Sequence, residues 1–278
     1  MAGQVSVRDC VGGALALARE HWRVVAIASA IGALATAALA TAGVLSPVVA
    51  VVADVAGWLT QAFVYSVFLR AALSGKGTFD TGVGLRVFAA MMVLGFFLFL
   101  VFFVLMIPGA MVLLMGPMAP YLHDLQQAGQ DQAAMMQVMT RFAQANPTPL
   151  LAFMAFYGIL WLLLTSRLYL AAPATADIKR VLTFDTWAWT RGQTLKIAGA
   201  RIMLLAPAFV LMAAVTYLAA RALGVDVNTG ANTGAAWFAI YVAFDRLVFF
   251  AVYLALEAGL SVALYRVLKP ATLTPPRA

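Results

Sequence analysis

VFAAMMVLGFFLFLVFFVLMIPGAMVLLM, residues 87–115, decides how the rest of the chain must be read. It holds no charged side chain and exceeds the roughly 20 apolar residues that a helix needs to cross bilayer hydrocarbon. A backbone in lipid has to satisfy its own N–H and C=O groups, so a run of this kind is expected to be helical. Working outward, five more apolar segments stand at 24–44, 48–70, 149–171, 196–222 and 235–266. Composition agrees: 64% of the 278 residues are hydrophobic and 10% charged, against about 25% charged in a soluble domain. The expected fold class is all-α, a polytopic membrane protein built as a six-transmembrane-helix bundle. No Pro/Gly/Ser-rich linker divides it, so residues 1–278 read as a single membrane domain.

Residues 5–22 precede the first span and read as an amphipathic, interfacial helix. Val7, Val11, Leu15, Ala18 and Trp22 recur at helical spacing, with Arg8, Gly12 and Arg19 on other faces. Ser6 and Asp9 make a capping-box-like start. This charged lead-in is unlike a cleaved signal peptide, so the Ala-rich first span is expected to be retained. The lone Cys10 excludes an intramolecular disulfide and reads as apolar filler rather than a lipidation site.

Cations assign the orientation. Arg8, Arg19 and Arg23 precede span one; Arg70, Lys76 and Arg86 follow span two. Lys179, Arg180, Arg191 and Lys196 follow span four; Arg266, Lys269 and Arg277 follow span six. The opposite loops hold Arg141, with Arg221 at a helix end. The positive-inside rule then expects both termini in the cytoplasm and the protein in a bacterial inner membrane. Spans two, four and six end alike, in Tyr65-Ser66 to Arg70, Ser166-Arg167-Leu168-Tyr169, and Ser261 to Tyr265-Arg266. Tyr at the interface with Arg reaching lipid phosphate would make these membrane anchors. On the opposite side, 123–145 reads as one amphipathic helix closed by Asn146-Pro147.

The connection between spans four and five runs Arg167-Leu168-Tyr169-Leu170-Ala171-Ala172-Pro173, then Asp177, then Thr186-Trp187-Ala188-Trp189-Thr190-Arg191-Gly192. Pro173 can open a short helix and Gly192 can close one. Trp187 and Trp189 among Lys179, Arg180 and Arg191 suit a headgroup region, so these five are the lipid-interface candidates. The simpler reading is an elbow that turns the chain into span five. This stretch is similar to an R-x-x-x-A-x-P … S-W-x-L-T-x-G element of bacterial membrane proteins related to the glycerophosphoryl diester phosphodiesterase membrane domain. Arg167, Pro173, Trp187, Thr190 and Gly192 carry the likeness, and Leu264-Tyr265-Arg266 resembles the closing helix. The chain departs from the pattern at Thr186, where Ser is usual, and at Asp177, where Glu is common. The resemblance implies a six-helix bundle and no established activity for members without a catalytic domain.

Charges inside spans are costly and so are candidates for function. Asp54 lies in span two; Asp245, Arg246 and Glu257 lie in span six. Arg246, Phe250, Tyr253 and Glu257 are spaced by four, three and four, which on an α-helix puts both charges on one stripe about 16 Å apart. Arg246 is expected to find Asp54 or Asp245, and Glu257 to find Arg167 or Arg201. These six residues mark either a polar path or static ion pairs. Small residues Ala28, Gly32, Thr36 and Ala40, and Ala251, Ala255, Gly259 and Ala263, read as helix-packing seams.

No catalytic site is expected. Phosphodiester hydrolysis by the related enzymes would need a metal held by carboxylates and paired histidines, whereas this chain has His21 and His123 on opposite sides of the expected topology. No metal or cofactor is expected: the Met111, Met115, Met118, Met135, Met136 and Met139 cluster reads as filler rather than a copper site. Asp226, Asn228 and Gly230 lack the acidic twelfth ligand of a calcium loop, and Ser74 to Thr78 fails the phosphate-loop order. Without a soluble basic domain, nucleic acid is not an expected partner. The sequence reading is a non-enzymatic inner-membrane protein that meets anionic lipid, a protein partner or a second copy of itself. The alternative is a small transporter or channel using Asp54, Arg246 and Glu257.

Overall fold

A computed structural model describes residues 6–44, 46–129, 131–225 and 235–270. Asp226, Asn228, Gly230 and Arg277 lie outside them. The described residues are helical and contain no strand: α1 (Val7–Glu20), α2 (Trp22–Gly43), α3 (Pro47–Ser74), α4 (Thr81–Met115), α5 (Leu122–Ala128), α6 (Gln132–Ala145), α7 (Pro147–Leu168), α8 (Ala171–Ile178), α9 (Asp185–Trp189), α10 (Thr194–Ala222), α11 (Ala235–Val248) and α12 (Ala255–Leu268). Among the described residues, six segments are long and apolar enough to cross a membrane: α2, α3, α4, α7 continued through α8, α10, and the run Ala236–Leu268. The protein is an all-α, polytopic helical bundle.

Contacts divide the chain into two compact units, one made of residues 1–94 and 166–278, the other of 95–165. In the first, α2 and α3 form a tight hairpin. Ser46 caps α3 by accepting the Val49 N–H at 3.2 Å, and Pro47 takes the first helical position, where its missing N–H costs nothing. Gly32 on α2 faces Val64 of α3 and the ring of Phe250, and a Cβ there would overlap Val64 and press against the ring. The small-residue seam of α2 is therefore used inside the bundle, as helix packing in lipid requires. On α12, Ala255 and Ala258 are buried beside Tyr65 and Phe68 of α3.

At the far end of α3, Gly75 turns the chain with φ +70°. Arg70 donates to the Thr78 carbonyl at 2.8 Å and pairs with Asp80 at 3.3 Å. Asp80 accepts the Val83 N–H at 3.1 Å, opening α4. That backbone bond first, and Arg70 second, hold the exposed Asp80 carboxyl below its ordinary value.

Helix α1 packs against α10 and α12, but its buried stripe differs from the expected one. Cys10 and Ala14 are buried with Val7 and Val11 against them, whereas Leu15 is 51% and Trp22 60% exposed. The docked stripe is Val7, Cys10, Val11 and Ala14, which leaves Leu15 to one side, and a break at His21 starts a new helix at Trp22 and so takes Trp22 off the α1 periodicity. Burial, with Asp9 adding, pushes the Cys10 thiol up.

In the second unit, α4 and α7 meet where Pro108 interrupts the α4 hydrogen-bond ladder. Tyr157 donates to the Leu105 carbonyl at 2.8 Å, and a Cβ at Gly109 would overlap the Tyr157 phenol. Phe102 meets Trp161 edge-on at 4.9 Å. The single helix expected over 123–145 is two. Gly129, with φ +55°, ends α5. Asp131 then caps α6 by accepting the Ala133 and Ala134 N–H groups at 2.9 and 3.2 Å.

This packing has two measurable outcomes. Cys10 should resist maleimide in the folded protein and label fully in denaturant, a contrast that mass spectrometry reads directly; equal labelling would mean α1 is not docked. Gly32→Leu should lower stability by at least about 1–3 kcal/mol through overpacking, seen as an earlier thermal transition in detergent.

Candidate functional site

Three arrangements of polar residues stand out in the first unit. The largest is the elbow between α7 and α10. It is two short helices, α8 and α9, rather than one opened at Pro173, which sits buried at the third position of α8. Thr175 closes the loop between them, donating its hydroxyl to the Leu182 carbonyl at 3.1 Å and accepting the Leu182 N–H at 3.0 Å. Thr190 ties the return to α7 by donating to the Arg167 carbonyl at 2.9 Å. The Arg167 guanidinium lies 5.1 Å from the Trp187 ring centre, a cation–π pair. Asp177 accepts from Tyr265 at 2.7 Å and from Lys269 at 2.6 Å, fastening α8 to the end of α12. Lys179 takes a left-handed turn with φ 56° and Gly192 another with φ 77°. Lys179, Arg180, Arg191 and Lys196 are exposed, and none takes part in the ion pairs within 4.0 Å among the described residues. Trp187 and Trp189 are half-buried.

The second arrangement surrounds Glu257. Tyr65 donates to the Ser261 hydroxyl at 3.2 Å, and Ser261 donates to the Ala258 carbonyl at 3.0 Å. Tyr169 donates to the Glu257 carbonyl at 3.3 Å. Arg201 lies 4.7 Å from the centre of the Tyr169 ring and donates to the Ser166 hydroxyl at 3.1 Å. Glu257 interacts electrostatically with Arg201, Tyr65, Tyr169 and Tyr253. Of the two partners expected for Glu257, the nearby cation is Arg201, while Arg167 is turned onto Trp187.

The tyrosines of the three matching helix ends are thus not lipid-facing anchors. Tyr65, Tyr169 and Tyr265 are buried, and their hydroxyls hold spans two, four and six to one another. The arginines likewise turn to protein: Arg70 to Thr78 and Asp80, Arg167 to Trp187, and Arg266 to the Ala72 carbonyl. A phenol among hydrocarbon needs an acceptor, and the serine or carbonyl one helix away supplies it.

The third arrangement is a cavity of about 330 Å³ between α2, α3 and α11, lined in part by Asp54, Gln61, Trp58 and Arg246. Arg246 Nε stands 3.6 Å from Asp245. Glu257 does not line this cavity, and the expected single stripe is broken. Phe249–Leu254 is a π-helical turn, which inserts one residue and swings the C-terminal half of the span by about 100°. Phe249 and Tyr253 stack at 5.6 Å, and Tyr253 meets Phe209 of α10, while Phe250 faces the cavity.

Comparison with family models, curated proteins and solved structures returned no match to this chain.

The sequence reading names Tyr253 on the Glu257 stripe and Ser166 and Ser261 at the helix ends but does not bring the two serines to Tyr65 and Arg201, and it misses Gln61 beside Asp54. The repeated Tyr and Ser at the helix ends was the available signal. Ser261→Val should strand the buried Tyr65 hydroxyl and destabilise by about 1–3 kcal/mol. Tyr65→Phe should cost less, and the double variant should recover part of the loss. Equal and additive losses in detergent unfolding would mean the pair is not coupled.

Proposed function

We propose that this protein is a non-enzymatic, multi-pass protein of a bacterial inner membrane that binds anionic lipid through the elbow between α7 and α10. The observation that carries the reading is the set of exposed cations Lys179, Arg180 and Arg191 on a loop whose backbone is fastened by Thr175, Thr190 and Asp177. Cations held on a fixed frame lose little freedom on meeting a phosphate. Exposed Val181, Phe184 and Leu195 stand among them, the pairing of basic and apolar side chains that suits the headgroup boundary. Trp187 and Trp189 mark the same level.

The cation asymmetry of the loops supports cytoplasmic termini and a cytoplasmic elbow. The elbow motif also supports kinship with the membrane domain of glycerophosphoryl diester phosphodiesterases as part of the same proposal. The mixing of these cations with exposed apolar side chains and two tryptophans at one loop favours lipid over a protein partner or second copy. Transport through Asp54, Arg246 and Glu257 has less support, because Glu257 sits on the far side of the π turn from the cavity that holds the other two.

Changing Lys179, Arg180 and Arg191 together to Gln should weaken retention of phosphatidylglycerol and cardiolipin in native mass spectrometry. At about 1 kcal/mol per cation the loss is roughly 100-fold, and added salt should reduce the wild-type preference in the same direction. Unchanged anionic-lipid retention by the triple variant would overturn the assignment.

A further inference from the structure

The cavity between α2, α3 and α11 is built from three helix faces. Asp54, Gly57, Trp58 and Gln61 follow the spacing of one face of α3. Phe238, Val242 and Arg246 do so on α11, with Phe250 beyond them, and Thr36, Leu39 and Ala40 complete it from α2. The hollow runs from the exposed Asp54 and Trp58 to Phe250, which is 1% exposed. Its room comes from small residues: Ala40, Ala53 and Gly57 line it, and a Cβ at Gly57 would meet nothing within 4 Å.

Two opposite charges on facing helices look into this space. Among the described residues no ion pair within 4.0 Å joins Asp54 to Arg246; the ion pair of Arg246 is with its neighbour Asp245 through Nε, and its guanidinium carbon lies 5.8 Å from the Phe249 ring centre. Neither Asp54 nor Gln61 makes a side-chain hydrogen bond to another described residue, whereas the Thr36 hydroxyl is spent on the Gly32 carbonyl at 2.8 Å. An acid and a base that share a cavity at membrane depth gain from closing on each other. Here no ion pair within 4.0 Å closes between them, and the Gln61 amide, which makes no side-chain hydrogen bond to another described residue, stands between apolar walls.

We propose that this cavity binds a small zwitterion, with an ammonium group at Asp54 and a carboxylate or phosphate at Arg246. The Trp58 ring suits the cationic pole. The Gln61 amide can donate to one pole or accept from the other, and the Arg246 fork matches a two-oxygen anion. Leu39, Phe238 and Val242 supply apolar wall for the remainder. A volume of about 330 Å³ falls at the small end of ligand pockets. The same chemistry belongs to a free zwitterion such as an amino acid or phosphoethanolamine and to the headgroup of phosphatidylethanolamine. The inference is independent of the basic elbow, none of whose residues lines this cavity.

The experiment uses the full chain. Alanine and phosphoethanolamine are titrated against protein in detergent by calorimetry and thermal shift, and phosphatidylethanolamine is offered in nanodiscs against phosphatidylglycerol with native mass spectrometry as the readout. Binding of either free compound assigns a soluble ligand; selective retention of phosphatidylethanolamine alone assigns the headgroup. In both cases Asp54→Asn and Arg246→Gln should weaken binding at least tenfold. Gly57→Leu, which fills the space and leaves every charge in place, should do the same with an unfolding temperature near that of the wild type. If Arg246→Gln does not fold, Asp54→Asn and Gly57→Leu decide. Lys179→Gln with Arg180→Gln and Arg191→Gln should leave zwitterion binding intact. Wild-type binding no tighter than that of Gly57→Leu, for all three probes, overturns the proposal.

Discussion

A hydroxyl or carboxylate set among hydrocarbon has no water to turn to, so the protein itself must supply its partner. That constraint explains the internal wiring of the first unit. Tyr65 reaches Ser261, Tyr169 reaches the Glu257 carbonyl, and Tyr265 reaches Asp177. Each bond spans two segments far apart in sequence. Association of helices in lipid gains little from hydrophobicity alone, and these few polar links, with the small-residue contacts at Gly32, Ala255 and Ala258, specify which helices are neighbours.

The two charged regions of the bundle answer the constraint differently. Around Glu257 one guanidinium and three phenols interact with the side chain, two serines take hydrogen bonds from Tyr65 and Arg201, and Tyr65 and Tyr169 are buried. Around Asp54 the surroundings are a hollow with a more exposed edge. Dense wiring suits a structural joint; a hollow with unspent groups suits an exchangeable occupant. The elbow is a third case, where polar bonds point inward to shape the loop and the cations are left outside.

Much of this architecture was legible in the residues. Span positions came from run length, because 87–115 has no other plausible environment, and α3, α4 and α10 lie within a few residues of where hydropathy puts them. The elbow was visible from Pro173, Gly192 and the two tryptophans. The illegible parts have physical causes. Tyr-Ser-Arg at a helix end looks the same whether the tyrosine faces lipid or a neighbouring serine, since the difference lies in which helix stands next to it. Periodicity also assumed an unbroken α-helix through 246–257, and a π turn leaves no composition signal in Phe249–Leu254. The split of 123–145 did carry a signal in Gly129 and Asp131, a stop and a cap in succession.

The wide turn at Phe249–Leu254 has a consequence for how this span tolerates change in length. Removing one residue there would let the backbone relax into ordinary α-helix, and because the rotation lost with the residue and the lag lost with the wide turn are each about 100°, the span would scarcely shorten and both halves would keep their facing. Removing one residue elsewhere in the span has no such compensation: one half would rotate by about 100° against the other, turning either the aromatic ring that floors the hollow or Glu257 away from its present neighbours. The turn works as a phase shifter, and the natural unit of variation in this helix is an angle rather than a distance.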